Sequence, residues 1–143
     1  MLRCVRTLSF PLILSGALAA QPLRYVVDDA TARELVHDAI VASGRSIPES
    51  GIQPLVSYWS PEFYSYQAWS PQSGGKPLLT FFFAVNPWNG DVWDVKNCER
   101  VTSSAVEAKQ SAIWKRSGLP ESARDPLHSK VPGECNQVAH RGR

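Results

Sequence analysis

The stretch LLTFFFAVNPWNGDVWDV, residues 78–95, reads as two strands joined by a turn. Residues 78–85 are almost continuously apolar, which is typical of a strand that is buried on both faces. Asn89-Gly90 is a strong hairpin signal because both residue types tolerate positive φ. In the returning strand, residues 91–95, Trp93 and Val95 share one face. This segment predicts a central antiparallel hairpin around which the rest of the fold forms.

Two more strand candidates precede the hairpin. Residues 55–59 are β-prone and follow Pro54, while residues 63–69 are rich in aromatic side chains. The loop between them and the hairpin, residues 70–77, contains Ser, Pro and Gly in the density expected of a flexible connection. The four segments together predict an antiparallel meander of three or four strands.

A helix is predicted over residues 32–43, before the strands. Thr31 and Glu34 have the spacing of a capping box, and Gly44 is a natural C-terminal stop. The apolar residues recur at helical spacing and form one stripe: Ala32, Leu35, Val36, Ala39, Ile40 and Ala42.

A second helix is predicted over residues 105–116, after the strands. Ser104 and Glu107 repeat the capping-box spacing, and Gly118 ends the pattern. Residues 120–143 lose periodicity and are predicted to form an irregular tail. The fold class is therefore α+β: an N-terminal helix packed on a three- to four-stranded antiparallel sheet, then a second helix and the tail, with residues 21–119 as the single domain.

The first 20 residues have the pattern of a cleavable export signal. Arg3 and Arg6 precede a short apolar run, and small residues follow, so cleavage is expected after Ala19 or Ala20. The apolar run is too short for a spanning helix, which predicts a secreted or periplasmic protein without stable membrane insertion.

Removal of the signal changes the charge balance. Two of the 15 Lys and Arg lie in it, so the mature chain has 13 basic residues against 13 Asp and Glu. A nearly neutral chain argues against nucleic-acid binding and against attachment to an acidic membrane surface.

The mature chain keeps two of the three cysteines, Cys98 and Cys135. In an oxidising compartment two cysteines most simply form one disulfide. A metal site or a reactive thiol is the alternative, but there is no CxxC spacing and no neighbouring His.

No catalytic set is apparent from the sequence, and the chain is predicted not to be an enzyme. His37 and Asp38 are adjacent on the first helix and point in different directions. His128 and His140 fall in the predicted tail, and no G-x-S-x-G motif supports a Ser-His-Asp triad. The turn oxygens of Asn86, Asn89 and Asp91 resemble a calcium loop, although a hairpin turn explains the same residues. No motif for a cofactor or a metal is present.

The aromatic residues exceed what one face of a small sheet needs. Most of them are expected to build the core under the first helix. The rest are candidates for exposed partner-binding residues, with Trp88 the first choice at the apex of its turn. The candidates are Tyr64, Tyr66, Trp69 and Trp88.

A helix followed by a meander that ends in residues 82–93 resembles the PepSY-type domain. Val85-Asn86 and Gly90-Asp91-Val92 match the final hairpin of that family, and Asn89 replaces the usual Thr. The order is similar also to small immunity proteins with a cone-shaped, NTF2-like sheet. The PepSY resemblance implies an exported binding or inhibitory module without a cofactor or catalytic residues.

These observations predict a non-enzymatic module that binds or inhibits a protein in the cell envelope. Two alternatives stay open: an immunity protein against a secreted toxin, and an envelope hydrolase whose cleft would bring a His together with a Ser or Asp.

Overall fold

The computed structural model describes residues 25–55, 62–71 and 76–136. The predicted export signal, nearly all of the strand predicted at 55–59, the middle of the predicted loop 70–77 and His140 lie outside the described residues.

Five antiparallel strands form one sheet in the order of the sequence, which is an uninterrupted meander. The strands are β1 (Ile52–Pro54), β2 (Tyr64–Ser70), β3 (Leu78–Val85), β4 (Val92–Asp94) and β5 (Glu99–Arg100). Strands β2, β3 and β4 confirm the predicted segments, and the register pairs Tyr66 with Phe83 and Val85 with Val92. Strands β1 and β5 extend the sheet beyond the predicted three or four strands; β5 has two residues, too few for a sequence pattern.

Helix α1 spans Asp29–Ala42 and packs on the sheet, as predicted, but it begins earlier than the sequence indicated. The capping box at Thr31 is wrong: the Asp28 carboxylate accepts the Thr31 N–H at 2.8 Å and caps the helix three residues before. An ionised Asp at this position satisfies a free amide and also interacts favourably with the helix dipole. Gly44, with φ of 74°, follows the C-terminal end.

Helix α2 spans Ser104–Ser117 and packs beside α1. Its cap is Ser103, whose hydroxyl accepts the Val106 N–H at 3.2 Å, so the predicted capping box at Ser104 is one residue late. Gly118 ends the helix in the left-handed conformation, as predicted. Val106 and Ile113 are the fully buried residues of this helix.

The segment after α2 is not irregular in its described part. Helix α3 spans Arg124–His128, and residues 133–136 form one further helical turn. The prediction of an irregular tail is therefore wrong up to residue 136. The sequence of this segment shows no helical periodicity of apolar residues, because α3 buries one side chain, Leu127, and contains a proline.

The sheet has two different faces. The inner face, toward α1 and α2, carries the large apolar core that includes Leu35, Ile40 and Tyr66. The outer face carries a smaller cluster of Phe63, Ala84, Val95 and Cys135, with Phe82, Trp93, Cys98 and Val131 against it. Residues 127–136 supply Val131 and Cys135, so this segment covers part of the outer face.

Both edges of the described sheet are protected against strand pairing. On β1, Leu55 donates to the Ser65 carbonyl on the β2 side, so Ile52 and Pro54 present their backbone outward. The Ile52 N–H bonds to the Glu49 carbonyl, the Arg33 guanidinium donates to the Ile52 carbonyl, and Pro54 has no N–H. At the other edge β5 is only two residues long. Short strands and proline are the usual protection of an edge.

Candidate functional site

The turn between β3 and β4, residues 86–91, is buried although it joins a hairpin. The Gly90 N–H donates to the Asn86 carbonyl at 2.9 Å, a bond that spans five residues. Among the described residues, Gly90 has positive φ and Asn89 does not. The predicted hairpin is therefore confirmed, and in its turn Gly90 is the residue that takes the left-handed conformation.

Close packing explains why the turn is buried. A Cβ on Gly90 would lie 2.8 Å from Ile113 Cδ1 and 3.2 Å from Leu35 Cδ1, so the turn fits against both long helices. On another side the Pro87 carbonyl accepts the N–H groups of Val26 and Val27. The turn is thus enclosed by the N-terminal segment, by α1 and by α2.

A polar network starts from this turn. The Asp91 side chain is 1% exposed, and its Oδ2 lies 2.7 Å from Nδ1 of His128. The same oxygen accepts from Asn89 Nδ2 at 2.8 Å, and Oδ1 accepts from Gln110 Nε2 at 3.3 Å. Arg100 Nη1 lies 3.6 Å from Oδ2. A buried carboxylate is stable only with such partners, and Asp91 has four.

The second nitrogen of His128 is also occupied. Arg124 Nε donates to Nε2 at 3.1 Å, while Nδ1 lies 2.7 Å from Asp91 Oδ2 and 3.0 Å from Arg100 Nη1. The ring lies at a cleft of about 460 Å³ that is also lined by Arg100, Gln110 and Ser111. His128 therefore joins α3 to the buried turn.

His128, which the sequence analysis placed in an irregular tail, is held on α3 and forms a pair with Asp91. A general base in a triad needs a free Nε2 that faces a nucleophile. Here Arg124 takes that position, and within the described chain no Ser, Thr or Cys side chain is a hydrogen-bond partner of His128. His37 is half-buried, and its Nδ1 is 4.0 Å from Asp38, whose other oxygen pairs with Lys109 at 2.9 Å.

The turn oxygens serve the turn itself. Asn86 Oδ1 accepts the Trp88 N–H and Asn89 Oδ1 accepts the Asp91 N–H, both at 2.9 Å. Within residues 25–55, 62–71 and 76–136 no group of three or more His, Cys, Asp or Glu is placed to hold a metal ion. These contacts favour the interpretation of the Asn and Asp side chains as turn-forming residues.

The four aromatic candidates occupy different environments. The predicted exposure of Trp88 is wrong: it is 9% exposed, because Tyr25 and Lys130 cover the apex of the turn. Tyr66 is 1% exposed in the inner core, where burial and its bond to Asp29 raise the pKa of the phenol far above its usual value. Tyr64 and Trp69 are half-buried. The expectation that most of the aromatic residues build the core under α1 is wrong for the described part of the chain: Tyr66 lies in that core with Tyr64 against it, whereas Phe63 and Trp93 belong to the outer cluster.

The disulfide between Cys98 and Cys135 confirms the predicted pairing, with the two Cα atoms 5.2 Å apart. It joins the turn after β4 to the helical turn 133–136. Cys98 has φ of 54°, a left-handed conformation that is unusual outside glycine. The bond and the His128 contact hold the C-terminal segment at two points, one on each side of Lys130.

Comparison with known proteins shows a similarity of fold to a solved structure. No protein-family model matches the chain, and no curated protein matches it. The chain is similar to a solved structure described as a type VI secretion system effector-immunity complex from Pseudomonas protegens. The TM-score is 0.54 at 17% identity, over 73% of this chain and 91% of that chain. The two chains share an α+β fold, with a helix on an antiparallel sheet here. No helix in the described ranges is long and apolar enough to cross a membrane.

Proposed function

We propose that this chain is an exported immunity protein, which binds a secreted protein toxin and prevents its action in the cell envelope. The observation that carries the proposal is the fold likeness to a chain of an effector-immunity complex, which extends over 91% of that chain. A protein partner follows from this proposal, and the PepSY resemblance of the final hairpin agrees with a binding or inhibitory role.

The disulfide supports the location in this proposal. Disulfides persist in oxidising compartments outside the cytoplasm, and Cys98–Cys135 fixes the segment that covers the outer face. The export signal predicted at residues 1–20 agrees with the same compartment. The toxin would then be met outside the cytoplasm.

The polar network supports a non-enzymatic role. Asp91 and His128 satisfy one another and their neighbours, and Nε2 of His128 is engaged by Arg124. The polar side-chain atoms of both residues take part in hydrogen bonds within the fold, which is typical of residues with a structural role.

The test is protection of cells from the toxin. Each gene adjacent to the one that encodes this chain is expressed with an export signal in a heterologous host, and any gene that kills the host is expressed again with and without this protein. Survival with the full chain, and its loss when residues 1–20 are deleted, is the expected result. A purified complex with a catalytically inactive toxin should elute as one species on gel filtration. Equal killing with and without the full chain would contradict the proposal.

An envelope hydrolase is the second candidate function, favoured by one observation: a buried carboxylate holds a histidine at a cleft of about 460 Å³. Purified protein would be incubated with ester, peptide and peptidoglycan substrates beside a His128→Gln variant. Turnover that the variant abolishes would establish it, and absence of turnover by both proteins would remove it.

A further inference from the structure

Tyr25 is an exposed aromatic residue that rests on other aromatic rings. It is 59% exposed, and its ring meets Trp88 edge-on with centroids 5.4 Å apart. The Tyr64 ring is 6.4 Å away at a tilt of 60°. A tyrosine with a rigid apolar support is the type of residue that anchors protein interfaces, because it offers a large contact area at small entropic cost.

The same cluster already binds one cation from its own chain. Lys130 Nζ lies 4.0 Å from the centre of the Trp88 ring and 3.2 Å from a Glu62 oxygen. An ammonium group over an indole with a carboxylate beside it is a favourable cation–π arrangement. The chemistry of the cluster therefore suits positively charged side chains.

Two carboxylates border the rings at the start of α1. Asp29 lies 3.6 Å from Arg33, whereas Asp28 is in no ion pair within the described segments and feels the charge of Arg116 at longer range. The bond from the Thr31 N–H lowers the pKa of Asp28, which keeps it ionised. Burial and then the charges of Asp29 and Asp28 raise the pKa of Tyr64, so both carboxylates act on this ring.

We propose that the acidic aromatic surface of Tyr25, Tyr64, Asp28 and Asp29 is the docking site for the toxin, and that it receives a lysine or arginine side chain. This inference rests on the proposed immunity function and names the chemistry of the partner: a basic patch on a protein. An aromatic anchor supplies the contact area, and the carboxylates select the sign of the charge. Both protected edges of the described sheet favour recognition through side chains of this kind over strand pairing.

The chain offers matched variants. Tyr25→Ala removes the ring and Tyr25→Phe keeps it, while Asp28→Asn removes a charge and keeps a good helix cap. Glu49→Gln removes an exposed charge from the turn that precedes β1 and serves as the control. Against the inactive toxin we expect Tyr25→Ala to weaken binding about tenfold and Asp28→Asn about threefold to tenfold. Tyr25→Phe and Glu49→Gln should bind like the wild-type protein.

A second measurement decides the inference without the toxin. Hexa-arginine and hexaglutamate are titrated into the labelled protein, and backbone amide shifts are followed by NMR. Shifts centred on residues 25–29 and 64 with hexa-arginine, reduced in Asp28→Asn, are expected. Toxin binding that is unchanged in Tyr25→Ala and Asp28→Asn would overturn the docking site and leave the immunity function intact. Wild-type protein that fails to bind the toxin would overturn the function, and hexa-arginine shifts that are absent or spread over the molecule would overturn the docking site.

Discussion

The two faces of the sheet are held in different ways. The inner face buries Leu35, Ile40 and Ile113 between the helices and the strands, and contact among apolar side chains holds it together. On the outer side, residues 119–136 contribute little apolar surface and are attached by a disulfide and by bonds to the buried turn, including Asn86 Nδ2 to the Leu127 carbonyl at 3.1 Å. Stabilisation by burial is proportional to the apolar area that is buried, so it needs many apolar residues. Hydrogen bonds and a disulfide can hold a segment that has few apolar residues.

The largest expected effect comes from the inner face. Leu35→Ala leaves a cavity between α1 and the turn, and we expect the free energy of unfolding to fall by about 3–5 kcal/mol. Urea denaturation followed by tryptophan fluorescence measures it. Val41→Ala on the same helix is the control, since Val41 is 55% exposed and should change stability by less than about 0.5 kcal/mol. Equal effects of the two variants would contradict the assignment of the inner core.

Removal of the disulfide should act on the outer side. For Cys98→Ser/Cys135→Ser we expect a loss of about 3–4 kcal/mol, because the bond closes a long loop of the unfolded chain. Amide hydrogen exchange should accelerate first in residues 119–136, while α1 keeps its protection until global unfolding. Uniform acceleration over both regions would show that the outer side is not separately held.

Asp91→Asn tests the polar attachment alone. The variant loses the charge that His128, Arg100 and Gln110 share, and we expect a cost of about 2 kcal/mol. Asp125→Asn is the matched control, because Asp125 is exposed on α3 and should change stability by less than about 0.5 kcal/mol. If the two substitutions cost the same in thermal denaturation, the network would contribute nothing to the attachment.

Tyr66 gives the smallest effect and a pH dependence. Its hydroxyl donates to the Asp29 side chain at 2.7 Å, so Tyr66→Phe should cost about 1 kcal/mol. Because folding raises the pKa of Tyr66, the folded state keeps a proton that the unfolded chain loses above pH ~10. Stability should be level below that pH and fall as the pH rises beyond it, and the fall should be smaller in Tyr66→Phe. Urea midpoints measured at increasing alkaline pH check this; an unchanged slope in the variant would contradict it.

The inner face was predictable because each of its signals is local. A stripe at helical spacing identifies α1, and an apolar run identifies β3. The caps were misplaced by one or a few residues because Asp28, Thr31, Ser103 and Ser104 are all competent capping residues, and the surrounding packing chooses among them.

The Asp91–His128 pair could not be predicted, since its members are 37 positions apart and neither belongs to a motif. The burial of Trp88 depends equally on distant residues, Tyr25 and Lys130, that cover it. The same limit applies to β5, which exists as a strand only because β4 lies beside it. A polar residue within an apolar stretch, such as Asp91, is the one local sign that a buried partner is required.

The protected edges of the sheet have a consequence for how such a protein can change over generations. A partner that pairs with an edge strand binds backbone N–H and C=O groups, which substitutions hardly alter. A partner that recognises side chains can be gained or lost by single substitutions at positions such as Tyr25 and Asp28, while the hydrogen bonds that protect Ile52 on β1 stay as they are. The same edges, one with a proline and one with a two-residue strand, disfavour the addition of a second copy of the chain to the sheet, so a change of specificity need not raise the risk of fibres.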